Sequence, residues 1–192
     1  VTLIIHPSAV ERLGQLGPEV MVSPTDDPAQ ANLSEFSALA VGPGLGTDDA
    51  SLASLLALWK EAEQPAVFDA DGLSALVGHF EKSAFSRCIT PHPGEAGRLL
   101  ERTNAEIQSD RLGAVRALAK IAPTLLKGRN TLISNGGAVP IRINPTGTSA
   151  LATAGTGDVL TGIVGAFLAQ GIAPLEALTM AAFIHGWAAE RV

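Results

Sequence analysis

The 192-residue chain is short of several things at once, and each shortage excludes a class of protein. A single cysteine, Cys88, cannot form an internal disulfide, and its apolar neighbours suit a reducing compartment. Charged residues make up only 17% against 46% hydrophobic, with mean hydropathy +0.27, so intrinsic disorder is excluded. Thirteen Lys+Arg stand against nineteen Asp+Glu, and the basic residues form no cluster. Without a basic face to displace counterions the chain is no nucleic-acid binder. The most apolar window, 159–173, is broken by Thr161, three glycines and Gln170, then stopped by Pro174, so no membrane span is expected. No charged segment leads into an apolar core at the start, and no signal peptide is expected. The reading is one globular domain over 1–192 in the cytoplasm, although strand-like residues open it and helix-like residues close it, as in a piece of a longer chain.

What is present is an alternation of short apolar runs with helical stretches. Residues 1–5, 38–41, 66–69, 87–90 and 124–127 are mostly apolar at consecutive positions, as in parallel strands covered on both faces. Helical patterns fall at 48–62, 71–80, 94–101 and 105–121, the last opened by a capping box of Thr103 and Glu106. The segment 24–31 reads as loop. Residues 131–134 and 138–143 flank Asn135-Gly136-Gly137 and predict an antiparallel hairpin. Two further helices are expected over 156–170 and from Pro174 onward. The expected fold is α/β: a mainly parallel central sheet, helices on both faces, and an antiparallel hairpin at one side.

Five connections at the carboxyl ends of the expected strands carry chemistry-bearing residues. Gly155-Thr156-Gly157-Asp158 opens an apolar helix, where unpaired N–H groups and the helix dipole favour a phosphate and Asp158 is placed to take a proton from a hydroxyl. It also reads as an ordinary glycine turn followed by an acidic first-turn residue. The loop 42–46, with Gly44 and Gly46, matches neither the dinucleotide fingerprint nor a Walker loop; it is a ligand loop or a tight connection. Asp71 is expected to cap the helix after it, while Asp69 is left open between a metal–phosphate ligand and scaffolding. Two prolines stiffen the loop bearing His92, a ligand contact or proton handler if a pocket adjoins it, and solvated surface otherwise. Lys127, before Gly128, meets a phosphate or simply ends a strand. His6, His79 and His185 are assigned no chemistry. Five such loops at one edge point to a phosphorylated ligand.

In chain order, GPGLG (42–46), DADGL (69–73), TPHPGE (90–95), LKG (126–128) and LATAGTGDVLTGI (151–163) resemble the ADP/ATP-dependent NAD(P)H-hydrate dehydratases of the ribokinase-like superfamily. The resemblance runs from Pro18 to Trp187. It implies a ribokinase-like fold and the repair of hydrated NADH or NADPH, in which ADP or ATP phosphorylates the added hydroxyl and loss of phosphate restores the ring. It makes Asp158 the base and gives the Gly155, Thr156 and Gly157 turn to the transferred phosphoryl group. Gly44, Gly46, His92 and Asp158 would contact the hydrated dinucleotide. Lys127, Gly128, Arg129, Asn130 and Thr131, with Gly155 to Gly157, would contact the nucleotide. No residue is assigned as a metal ligand, while Mg2+ is expected to shield the phosphates. A homo-oligomer and a fused or partner NAD(P)H-hydrate epimerase are also implied, with no membrane partner. Ser74 stands where the family has Asn. The glycine- and alanine-rich segment before the family's first strand is missing here, as is its last segment. A vitamin-precursor kinase of the same superfamily would share the GTGD turn, and a non-catalytic nucleotide-binding protein would share the fold without needing Asp158.

Overall fold

The computed structural model describes residues 1–14 and 16–191. Its centre is a six-stranded sheet in the order β3 (Leu39–Val41), β4 (Ala66–Phe68), β5 (Arg87–Ile89), β6 (Thr124–Leu126), β7 (Leu132–Ser134) and β8 (Arg142–Ile143). The first four strands are parallel; β7 pairs antiparallel with β6 and β8 antiparallel with β7. Side chains alternate across a strand, so each buried run feeds two cores. Phe68, Ile89, Leu126 and Leu132 face one way, towards α1 (Asp49–Glu61), α2 (Asp71–Ser74), α3 (Pro93–Leu100), α4 (Asn104–Ser109) and α5 (Arg111–Leu118). Val67, Cys88, Leu125 and Ile133 face α6 (Thr156–Ala169) and α7 (Pro174–Ala189). Four parallel strands laid down in sequence with right-handed crossovers put every intervening helix on one face, which leaves the other to the helices after the hairpin. The two-sided α/β fold with its hairpin at one side is as expected.

Several elements differ from the sequence expectation. Residues Thr2–Ile5 form β1, but among the described residues it pairs only with β2 (Met21–Pro24), a parallel partner that the sequence reading left unassigned. A helix expected over 71–80 stops after Ser74, where bonds from Val77 N–H to Ser74 O and from His79 N–H to Leu76 O tighten the chain into turns. The long helix expected over 105–121 is two. Asp110 leaves helical geometry at φ −137° and ψ 66° and accepts the Gly113 N–H at 2.8 Å, capping α5. The Thr103–Glu106 capping box stands at the start of α4. The returning hairpin strand is only Arg142–Ile143, because Gly136 and Gly137 at positive φ begin a longer loop. Cys88 is fully buried, which pushes its thiol pKa up and leaves it unreactive. No helix among the described residues is long and apolar enough to cross a membrane.

Candidate active site

Backbone geometry at the strand ends explains why glycines and aspartates occur there. At Gly42 φ is +127°, and a Cβ would fall on the carbonyl oxygen of Asp69, so the glycine loop packs directly on the loop after β4. Gly46 N–H donates to Asp71 Oδ2 at 2.9 Å, tying the same two loops together. This corrects the expectation for Asp71: position Ala70 precedes α2 with no side-chain cap, at φ 48°, and Asp71 serves the glycine loop instead.

Asp69 is 1% exposed, and each of its carboxylate oxygens is taken. Lys127 Nζ donates to Oδ1 at 2.7 Å, and Thr161 Oγ1 donates to Oδ2 at 2.8 Å. Lys127 is therefore not a solvated strand end: its ammonium turns inward and also stands 3.7 Å from Glu95 Oε2. Lys127 N–H donates to Pro91 O at 2.8 Å, joining this strand end to the TPHPGE loop. A Cβ at Gly157 would lie 3.5 Å from Lys127 Nζ and 3.7 Å from Asp69 Oδ2, so the first turn of α6 rests on the ion pair.

His92 is the N-cap of α3. Its Nδ1 accepts the N–H groups of Gly94 and Glu95, at 3.0 and 3.2 Å, while Glu95 Oε2 accepts the His92 N–H at 2.6 Å. A ring whose Nδ1 accepts two bonds carries its proton on Nε2, which faces Glu95 Oε1 at 3.4 Å. Half-exposed, the ring presents one edge to solvent while its Nδ1 is held as the helix cap.

Gly155 precedes α6 in the left-handed region, at φ 88°, and no side chain caps the helix. Asp158 lies in the first turn and is exposed. Gly44 and Gly155 both open onto empty space. Gly128, at φ 131°, and Asn130, at φ 53°, shape the loop after β6, whose carbonyls at Leu126, Lys127 and Arg129 accept from Arg111. The five loops thus adjoin one another at one edge. Thr161 and Arg111 escaped the sequence reading. Thr161 had a signal, a hydroxyl in an apolar helix stripe four residues after Gly157; Arg111 had none. A separate cavity of about 730 Å³ opens beside Leu45, between the ends of β1 and β2 and α1, and none of Asp158, Lys127 and His92 lines it.

His185 on α7 reaches the backbone of Thr156, and burial lowers its pKa below the ordinary 6.5 despite that bond. Protonation therefore favours the unfolded chain. The neutral ring's contribution is complete above about pH 6.5 and is lost as pH falls through the lower folded value. Thermal unfolding between about pH 7.5 and 5 should fall more steeply for the wild type than for His185→Gln; parallel curves would refute the assignment.

Sheet order, two-sided helix cover and the glycine turn before α6 define a ribokinase-like α/β protein. The chain belongs to the NAD(P)H-hydrate dehydratase family, which matches it across residues 1–192. It is 41% identical over 181 residues to the ADP-dependent (S)-NAD(P)H-hydrate dehydratase of Neisseria meningitidis, covering 90% of this chain and 60% of that protein. It is 46% identical over 167 residues to the bifunctional NAD(P)H-hydrate repair enzyme of Mycobacterium tuberculosis, covering 83% of this chain and 33% of that one. Among solved structures, the ADP/ATP-dependent NAD(P)H-hydrate dehydratase of Bacillus subtilis, crystallised with ATP and Mg2+, superimposes with TM-score 0.78 at 31% identity, covering 91% and 65% of the two chains. The chain thus spans 60% or less of the length of these two curated relatives.

Proposed function

We propose that this chain carries the phosphoryl-transfer site of an ADP- or ATP-dependent NAD(P)H-hydrate dehydratase. The observation that carries the reading is the uncapped first turn of α6, with exposed Asp158 beside Gly155–Gly157 and the Lys127–Asp69 pair beneath. Asp158 takes the proton from the hydroxyl that water added to the nicotinamide ring, and the freed oxygen attacks the terminal phosphorus of the nucleotide. With ADP as donor, the bond from that phosphorus to the bridging oxygen breaks and AMP leaves. The α6 N–H groups and the ammonium of Lys127 stabilise the charge that develops on the phosphoryl oxygens. The lone pair of the ring nitrogen then expels phosphate as a proton leaves the neighbouring carbon, and the reduced nicotinamide is restored.

Gly128, Arg129, Asn130 and Thr131 bind the nucleotide, while Gly44, Gly46 and His92 bind the hydrated dinucleotide. No three His, Cys, Asp or Glu side chains among the described residues converge as a metal cage. Mg2+ would arrive on the nucleotide phosphates, neutralise their charge and keep most of its own waters. A cytoplasmic setting, a homo-oligomer and an epimerase on the same or another chain belong to the same proposal.

Incubation with hydrated NADH, Mg2+ and either ADP or ATP should return reduced-nicotinamide absorbance with at least one nucleotide. No return from folded protein that binds nucleotide would overturn the reading and favour phosphorylation of a different small alcohol.

A further inference from the structure

We propose that Asp69 is a positioning residue that sets the phosphoryl-transfer turn, by holding Lys127 with one carboxylate oxygen and α6 with the other. The inference rests on the reading of α6 as that turn. Lys127 lies 58 residues from Asp69 along the chain and Thr161 lies 92 residues away, so this carboxylate joins three separate elements: the ends of β4 and β6 and the second turn of α6. Thr161 Oγ1 also lies 3.1 Å from Gly157 O. One hydroxyl proton cannot serve two acceptors fully, and the shorter bond goes to the ionised carboxylate, leaving Gly157 O to the helix.

Two consequences follow. The ammonium, with Asp69 on one side and Glu95 on the other, cannot swing freely, so its charge stays within reach of the Gly157 turn before any phosphate binds. Such preorganisation is what stabilises a transferring group without reorganisation during the reaction. The rotation and depth of α6 are also fixed at Thr161, one turn beyond Asp158, so the base is aimed by a hydroxyl–carboxylate bond rather than by packing alone. Asp69 itself is sealed from solvent and touches neither substrate in this scheme.

Asp69→Asn keeps the shape and removes the charge. It is expected to lower kcat about tenfold to a hundredfold, the scale of a misaligned reacting geometry. ADP affinity measured by calorimetry should stay the same or tighten, since a carboxylate near the phosphate site is lost. A merely structural residue would lower kcat, affinity and melting temperature together, and that result, or kcat within about threefold of wild type, overturns the proposal. Where Asp69→Asn fails to fold, Thr161 decides. Thr161→Val keeps the volume and loses the hydroxyl, whereas Thr161→Ser keeps the hydroxyl and loses the methyl. Serine should retain kcat near wild type and valine should not; the opposite order means packing alone and overturns the proposal. Amide exchange over residues 155–161 gives a readout independent of turnover, expected to be faster in Thr161→Val and wild-type-like in Thr161→Ser. If wild-type protein shows no turnover, the functional reading falls, and unchanged exchange in Thr161→Val would then overturn the anchoring role as well.

Discussion

Asp158→Asn is expected to fold, to bind ADP, and to lose about 10²- to 10⁴-fold in kcat with hydrated NADH, the range that a general base contributes. The structural cost of this change is small. The Asp158 carboxylate is exposed and makes none of the side-chain hydrogen bonds found among the described residues, so nothing buried loses a partner. Its charge sits favourably at the positive end of α6, and removing it costs about 0.3–1 kcal/mol of stability. ADP binding should not suffer, because the substitution deletes a negative charge beside the phosphate site. The diagnostic pattern is therefore a collapse of turnover with nucleotide affinity retained or improved. Turnover within about tenfold of wild type would sink the assignment of Asp158 as the base.

The second large effect concerns stability. Arg87 is 3% exposed at the start of β5, and it takes part in none of the ion pairs among the described residues. Its guanidinium donates instead to backbone carbonyls: Nε to Trp59 at 3.0 Å, Nη1 to Gln64 at 2.8 Å and Ser86 at 3.0 Å, Nη2 to Leu58 at 3.0 Å and also to Ala62. Leu58 and Trp59 belong to the last turn of α1, where the carbonyls carry the negative end of the helix dipole; Leu58 O also accepts the Ala62 N–H, and Trp59 O also accepts the Ser83 hydroxyl. One buried cation thus caps a helix and fastens it to the sheet. Burial lowers its pKa to about 10, which still leaves it charged at neutral pH. Arg87→Met fills similar space and leaves the Gln64 and Ala62 carbonyls without a donor among the described residues, while Leu58, Trp59 and Ser86 keep the Ala62 N–H, the Ser83 hydroxyl and the Ala66 N–H. At about 1–3 kcal/mol for each of these two buried groups left unpaired, and with partial rehydration, the expected loss is about 2–4 kcal/mol in chemical denaturation. Arg87→Lys should recover only part of this, because three donors on a point charge cannot reach carbonyls spread around a planar fork. A loss under about 1 kcal/mol for Arg87→Met would mean that water serves those carbonyls as well as the guanidinium does.

These two residues differ in how visible they are in the sequence. Asp158 was legible because its motif is contiguous: glycines, an acid and an apolar helix follow one another, and local geometry suffices to place an anion site. Arg87 was hidden inside an apolar strand, and its partners lie 23 to 29 residues away in the chain apart from neighbouring Ser86. The sheet shows the same division. Runs such as 66–68 and 124–126 announce buried parallel strands by composition, whereas β2, mostly exposed and ending in Pro24, exists only because β1 lies beside it. Asp71 looked like a cap because it precedes a helix, yet a glycine loop 25 residues upstream claims its carboxylate.

The sequence by itself determined the α/β alternation, the hairpin, the helix starts at Thr103 and Gly155, and the set of loops that carry chemistry, because periodicity, capping and turn conformation are properties of neighbouring residues. Only the tertiary structure decided that Lys127 turns inward to Asp69, that Thr161 joins it from α6, that His92 spends one ring nitrogen as a cap, and that Arg87 closes α1. Each of those depends on the direction of a side chain across a distance that the chain closes only when both faces of the sheet are covered.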